Sequence, residues 1–270
     1  MTTPQGSKPG PATGGSRTAR VLTGHHRLHG DSQQSLMAHT YYGLRWGLGI
    51  VTFLLPLVVR WGEKILTKHS LPESISGYYH TGMRNYFVAT LIVVAAFLFL
   101  YKGYSRWENY LLNIAGVATA GVVFFPTGCD SGSTECATYT RPWLHGTFAI
   151  IAFGSIGLVA VFLGGSTLDL LHDKRKERIF RTIYLVLGVA MIVLPLLTAV
   201  LAHKDVASLY WIEFAALWVF VGYWTAKTLE FSWSHAEQKA IQGLLPPPPG
   251  MPDSVDHGLE AARMPPASDT

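Results

Sequence analysis

Six long apolar runs, nearly free of charge, constrain this chain more than any other feature. They lie at approximately 42–60, 86–102, 110–126, 144–164, 180–202 and 208–228. A helix crosses the hydrocarbon of a bilayer with about 20 mainly apolar residues, within a range of about 17–25. The last three runs meet that length comfortably. The first three are shorter and lean on flanking Tyr, Trp, Arg and Lys, whose side chains snorkel or sit at headgroup level. No water in the bilayer core can satisfy an open strand edge, so a spanning segment is a helix or part of a closed barrel. These runs lack the alternation that a barrel strand needs. The expected fold class is therefore all-α: a polytopic transmembrane helix bundle with six spans. Composition agrees, since only 14% of residues are charged and 49% are apolar, against about 25% charged in soluble domains.

The runs divide the chain into three parts. Residues 1–40 are rich in Gly, Ser, Thr, Pro and Gln and hold too little apolar surface to offset the entropy of ordering, so they read as a disordered tail. Residues 41–229 form the transmembrane domain. Residues 230–270 read as a second disordered tail, in which Pro246 to Pro249 form a spacer more readily than a polyproline ligand. HHRLHG at 25–30 offers three histidines, but a flexible tail gives no fixed metal geometry. Pro56 and Pro195 fall inside runs and are expected to bend their helices.

Positive charge marks the cytoplasmic side. With the N-terminus inside, most of the 21 Lys and Arg residues fall inside. Arg45, Lys227 and the cluster Lys174, Arg175, Lys176 and Arg178 are among them. That cluster reads as a topology signal more readily than as a site for anionic headgroups. Both termini are then cytoplasmic. The basic residues sit at the ends of apolar runs and form no stripe with interleaved aromatics, which argues against nucleic acid. The partner expected is the bilayer, and no cofactor is expected. Cys129 and Cys136 are the two cysteines, both in the Gly- and Ser-containing loop between the third and fourth runs. This loop is external in the same topology, where a disulfide is favoured over free thiols.

Small residues let membrane helices approach closely. Gly116 and Ala120 on the third run, with Asn113 one turn earlier, suggest a contact face on which Asn113 bonds a neighbouring helix. Gly146, Gly154, Gly157, Gly164 and Gly165 suggest the same for the fourth run.

Ionisable groups in spans are costly and usually face the bundle interior or a water-filled cavity. Glu213 lies one to two turns into the sixth run, His145 opens the fourth, Arg84 opens the second, and His80 precedes it. All four fall at the outer end, where one polar pocket formed by His80, Arg84, His145 and Glu213 would bind a lipid or small molecule. His80, His145 and Glu213 are also of the right types for zinc or for acid–base chemistry. The plainer alternative pairs Arg84 with Glu213 or lipid phosphate and leaves the histidines at the interface.

The stretches YYHTGMRNYFV (78–88), FLFLYKGYSR (97–106), AGVATAGVVFFPT (115–127) and EFAALWVFVGYWTAK (213–227) resemble an uncharacterised family of bacterial multi-helix membrane proteins, classed as a domain of unknown function. The resemblance spans most of residues 40–230 and implies a six-helix inner-membrane bundle; it brings no activity. Membrane hydrolases that include alkaline ceramidases carry a metal-binding His-x-x-x-His pair in a late helix. Here that spacing occurs at His25 and His29, ahead of the first run. Three functions follow as expectations: ligand binding in an outward pocket, metal-dependent lipid hydrolysis, and small-molecule transport. Transport is the least favoured, because no inverted repeat is visible.

Overall fold

The computed structural model describes residues 17–66, 70–129, 133, 136, 138–171, 173–201 and 209–234, with side chains from Thr40 onward except residue 41. Six long helices follow one another: α1 (Arg17–Leu66), α2 (Arg84–Leu100), α3 (Arg106–Phe124), α4 (Pro142–Leu158), α5 (Lys174–Leu201) and α6 (Leu209–Ser234). A short 3-10 turn, Ser76–His80, lies between α1 and α2, and α4 continues through a π turn (Val159–Leu163) and a 3-10 segment (Gly164–Leu171). The helical backbone of α1 begins at Arg17, upstream of the boundary at 40 expected from composition. Residues 1–16 and 235–270, Asp130, and the side chains of His25 and His29 lie outside the described residues.

Among the described residues, four helical stretches are long and apolar enough to cross a membrane: Tyr42–Leu66, Pro142–Leu171, Lys174–Leu201 and Leu209–Ser234. The first covers 25 residues, about 37 Å at 1.5 Å per residue, and is longer than the run suggested. Helix α2 is apolar but only 17 residues long. Helix α3 starts with Arg106 and Glu108 and does not reach the same hydropathy. The described residues therefore form an all-helical bundle with four helices long and apolar enough to cross a membrane, where six spans were expected.

Each helix packs mainly on its neighbours in chain order, and α6 closes on α1, so the six form a ring. Small residues set the closest approaches. A Cβ on Gly116 would stand 2.8 Å from the Ala95 carbonyl of α2, and one on Gly157 would stand 2.8 Å from the Gly188 carbonyl of α5. These glycines are contact positions, as expected. Gly146 and Gly154 are not, since nothing lies within 4 Å of a Cβ there. Asn113 also departs from expectation: its Oδ1 is buried without a hydrogen-bond partner. The outward face of the ring carries exposed Phe99, Val117, Phe124, Phe162, Val186 and Val200, far more apolar surface than a soluble protein leaves in patches.

The interior is unevenly filled. Towards the Lys174 end it is packed solid by Leu48, Leu98, Leu112, Tyr184, Met191, Tyr223 and Trp224. Near the Ser76 end, Leu55, Val59, Ile75, Tyr78, Phe87 and Tyr210 form a smaller core under the 3-10 turn. A cavity remains in the ring beside it. Its lining on α4 precedes Gly157 and its lining on α5 follows Gly188, so it lies wholly on the Ser76 side of the Gly157–Gly188 contact.

Candidate functional site

The cavity measures about 750 Å³ and takes side chains from all six helices. Leu55, Phe87, Leu91, Val94, Ile156, Leu217 and Phe220 give it apolar walls. Thr52, Thr119, Thr147 and Thr198 also line it. Each of these four threonines donates its hydroxyl proton to the carbonyl four residues back in its own helix, at 2.9, 2.8, 2.8 and 3.0 Å. That bond is the usual resting place of a helical Thr hydroxyl, and it leaves the methyl groups to serve as apolar wall. The polarity of the cavity is therefore concentrated at the Ser76 end, in Ser74, Ser76, Thr127, His145 and Glu213.

Two of the four candidate residues meet there, through a third that the sequence did not single out. Glu213 Oε2 accepts the backbone N–H groups of Ile75 at 2.7 Å and Ser76 at 3.0 Å. It thereby holds the start of the 3-10 turn, where N–H groups have no partner within the turn. Glu213 Oε1 lies 3.5 Å from Ser76 Oγ. The same Oγ is 3.0 Å from His145 Nε2, while His145 Nδ1 lies 3.1 Å from the Val122 carbonyl and 3.0 Å from that of Phe125. A carbonyl only accepts, so Nδ1 carries the ring proton. Nε2 then presents its lone pair, and Ser76 Oγ–H donates to it. The order Glu213–Ser76–His145 joins α6, the 3-10 turn and α4 at the mouth of the cavity.

His80 adjoins this group through Thr127, a lining residue, while Arg84 bonds elsewhere. His80 is buried and its Nε2 is bonded to the Thr127 carbonyl at 2.9 Å, tying the 3-10 turn to the segment after α3. Arg84 donates to Tyr79 Oη at 2.7 Å and lies 4.4 Å over the same ring. Of the four expected pocket residues, His145 and Glu213 line the cavity and are joined through Ser76. A metal is not supported by the grouping: among the described residues no three His, Cys, Asp or Glu side chains are gathered as ligands. Both ring nitrogens of His145 are already engaged. Cys129 and Cys136 do come together, with Cα atoms 5.9 Å apart and sulfurs at disulfide distance.

No protein-family model, curated protein or solved structure matches this chain. The reading of the site rests on its geometry.

A second polar cluster lies at the opposite end, around Lys227 and Arg45. Lys227 and Arg45, counted among the topology signals, are each only 4% exposed. Lys227 Nζ donates to the Gly164 carbonyl at 2.9 Å, Thr167 Oγ1 at 2.8 Å and Glu230 Oε2 at 2.8 Å. Glu230 also accepts the hydroxyls of Thr167 and Tyr184, both at 2.5 Å. All three ammonium protons are used, so this network is a closed brace joining α5, α6 and the 3-10 extension of α4. Nearby, Arg45 donates to Tyr101 Oη at 2.6 Å and lies 4.1 Å from the Phe231 ring centre. Glu108 accepts the Tyr104 N–H at 2.9 Å at the start of α3. The sequence put Lys227 at the end of the sixth run and Glu230 in the tail beyond it; α6 continues to Ser234, and a spacing of three brings both to one helix face. Of the exposed basic cluster, Lys174 pairs with Glu177 at 3.4 Å and Lys176 lies 5.1 Å over Trp233; Arg181 also pairs with Glu177, at 2.9 Å.

Proposed function

We propose that this chain spans the bacterial inner membrane six times and holds an amphipathic small molecule or lipid in the cavity, apolar part inward and polar part at Ser76, His145 and Glu213. The observation that carries this reading is the division of the lining. An apolar chamber of about 750 Å³ with polar groups at one end falls within the roughly 300–1,000 Å³ of small-molecule sites and repeats their chemistry. The basic cluster at Lys174 to Arg178 lies at the opposite end of α5 from the cavity, so positive-inside orientation turns the cavity mouth outward. Helices α2 and α3 cross with the help of the flanking, exposed Arg84, Lys102 and Trp107, as the family resemblance implies. The cavity lining on α4 and α5 includes Trp143, Gly146, Thr147, Thr198 and Ala199, where no Cβ of Gly146 would meet a neighbour. A ligand dissolved in the bilayer enters between these two helices.

A diazirine-bearing long-chain alcohol tests the reading on the purified full chain. Labelling is expected within residues 142–156 and 213–220, and loss of it in Ala216→Trp, which fills the chamber. Labels spread over lipid-facing positions such as Phe162 and Val186, unchanged in Ala216→Trp, would sink the proposal.

A further inference from the structure

Ser76 and His145 have the geometry of a nucleophile and its base. Ser76 opens the 3-10 turn and lines the cavity, half-buried. Its hydroxyl has one proton and two acceptors within reach, His145 Nε2 at 3.0 Å and Glu213 Oε1 at 3.5 Å. The nearer one takes it, since good hydrogen bonds end near about 3.2 Å. A general base works within about 2.6–3.2 Å of the group whose proton it removes. His145 Nε2 is in that range and carries the lone pair, because Nδ1–H is turned to the carbonyls of Val122 and Phe125 at 3.1 and 3.0 Å. Those carbonyls fix the tautomer and the ring orientation, the task a carboxylate performs in a Ser-His-Asp triad.

The surroundings separate Ser76 from the other hydroxyls of the lining. Thr52, Thr119, Thr147 and Thr198 donate to carbonyls of their own helices, and a carbonyl does not serve as a base. Ser76 also stands where the apolar chamber meets its polar end. An acyl chain lying against Leu91, Val94, Ile156 and Phe220 brings its carbonyl to that boundary. Ser74 and Thr127 bring hydroxyls to the same end of the lining, and side-chain donors of this kind stabilise the oxyanion of acyl transfer.

We propose that Ser76 and His145 are a catalytic pair that hydrolyses long-chain acyl esters taken up from the bilayer. The inference rests on the ligand-binding reading and makes the bound amphiphile a substrate. Ser76 Oγ attacks the ester carbonyl carbon as its proton passes to His145 Nε2. The negative charge on the carbonyl oxygen falls to the hydroxyls of Ser74 and Thr127. When the tetrahedral intermediate collapses, the bond from carbon to the alcohol oxygen breaks and His145 gives its proton to the departing alkoxide. Water entering at the mouth then attacks the acyl-Ser76 carbonyl and passes a proton to His145 Nε2. The acid leaves as that proton returns to Ser76 Oγ.

The test treats the purified full chain in a non-ionic detergent with dodecyl fluorophosphonate. On an activated serine the oxygen–phosphorus bond forms, fluoride leaves and the base takes the hydroxyl proton. One adduct per chain is expected, mapped to Ser76 by mass spectrometry, and none in Ser76→Ala. His145→Gln is expected to slow the adduct at least about 100-fold, the lower end of what a general base contributes. Hydrolysis of p-nitrophenyl dodecanoate should be lost in Ser76→Ala. Melting temperatures check that both variants fold; should His145→Gln not fold, wild type against Ser76→Ala decides alone. A wild type without adduct at Ser76, labelling unchanged in Ser76→Ala, or an equal rate in folded His145→Gln overturns the inference. If the diazirine alcohol still labels the chamber in that case, the ligand-binding reading stands. If that label misses the chamber as well, both fall.

Discussion

Lys227 and Glu230, three residues apart on α6, form an ion pair with Nζ 2.8 Å from Oε2 and side chains only 5% and 0% exposed. Removing one partner strands the other in a low-dielectric interior, which costs on the order of 3–5 kcal/mol. Lys227→Met is therefore expected to lower the thermal unfolding temperature sharply. In Lys227→Met/Glu230→Leu the stranded charge is gone, and what remains is the loss of acceptor for Thr167 and Tyr184, about 1–3 kcal/mol. The double variant should be more stable than the Lys227 single variant. Thermal unfolding in detergent measures both, and a double variant less stable than the single contradicts the brace.

His145 and Ser76 are expected to differ in structural weight. The imidazole N–H serves two carbonyls near the end of α3, a place where helix carbonyls lack partners. Its loss in His145→Ala should cost about 1–3 kcal/mol, as buried acceptors go unsatisfied. Ser76→Ala removes one hydroxyl contact and should cost about 0.5–1.5 kcal/mol. Equilibrium unfolding of the two variants side by side tests the order, and the reverse ranking would show the tautomer assignment to be wrong.

Two glycines three residues apart on α4 make an internal control. A Cβ on Gly157 meets the Gly188 carbonyl at 2.8 Å, and one on Gly154 meets nothing within 4 Å. Gly157→Ala is expected to destabilise by about 1–3 kcal/mol through overpacking. Gly154→Ala is expected to be neutral or to stabilise by up to about 1 kcal/mol from helix propensity. Equal melting temperatures for the two variants would remove the α4–α5 contact from the fold.

Alkaline pH should weaken the 3-10 turn. Burial pushes the Tyr78 phenol up to about 12, with Arg60 drawing it partly back. The ordinary value is about 10. Between those values the folded protein keeps a proton that the unfolded chain has released. This contribution to stability is complete below pH 10 and is lost as pH rises towards 12. Tyr78→Phe removes it. The stability difference between wild type and Tyr78→Phe should therefore shift in favour of the variant above about pH 10. A difference flat across that range would contradict it.

Much of the site was within reach of sequence reading. His145 and Glu213 stood out because ionisable groups inside apolar runs are costly unless they have a use. His80 and Arg84 stood out by the same rule but point elsewhere, to Thr127 and Tyr79. Sequence gives the height of a residue along a helix and not its azimuth around the ring. Ser76 escaped notice because a serine beside a helix start is usually a cap, and only the fold sets it against His145, 69 positions away. Lys227 and Arg45 lie at the end of the bundle that their positions in the runs gave, but inside it. Basic residues near the end of a run normally mark the interface, and their burial depends on which helices close over them.

Hydrophobic run length determined the all-helical fold and the helices apolar enough to cross a membrane, because backbone polar groups in hydrocarbon must be satisfied within the segment itself. It also put His80, His145 and Glu213 at one end of the bundle, where the structure has them. The ring closure of α6 on α1, the cavity at the Ser76 end and the Lys227–Glu230 brace at the other were decided only by tertiary structure. Each depends on the rotation of one helix against its neighbours, which small residues such as Gly116, Gly157 and Gly188 set by contact and which no periodicity within a uniformly apolar run records.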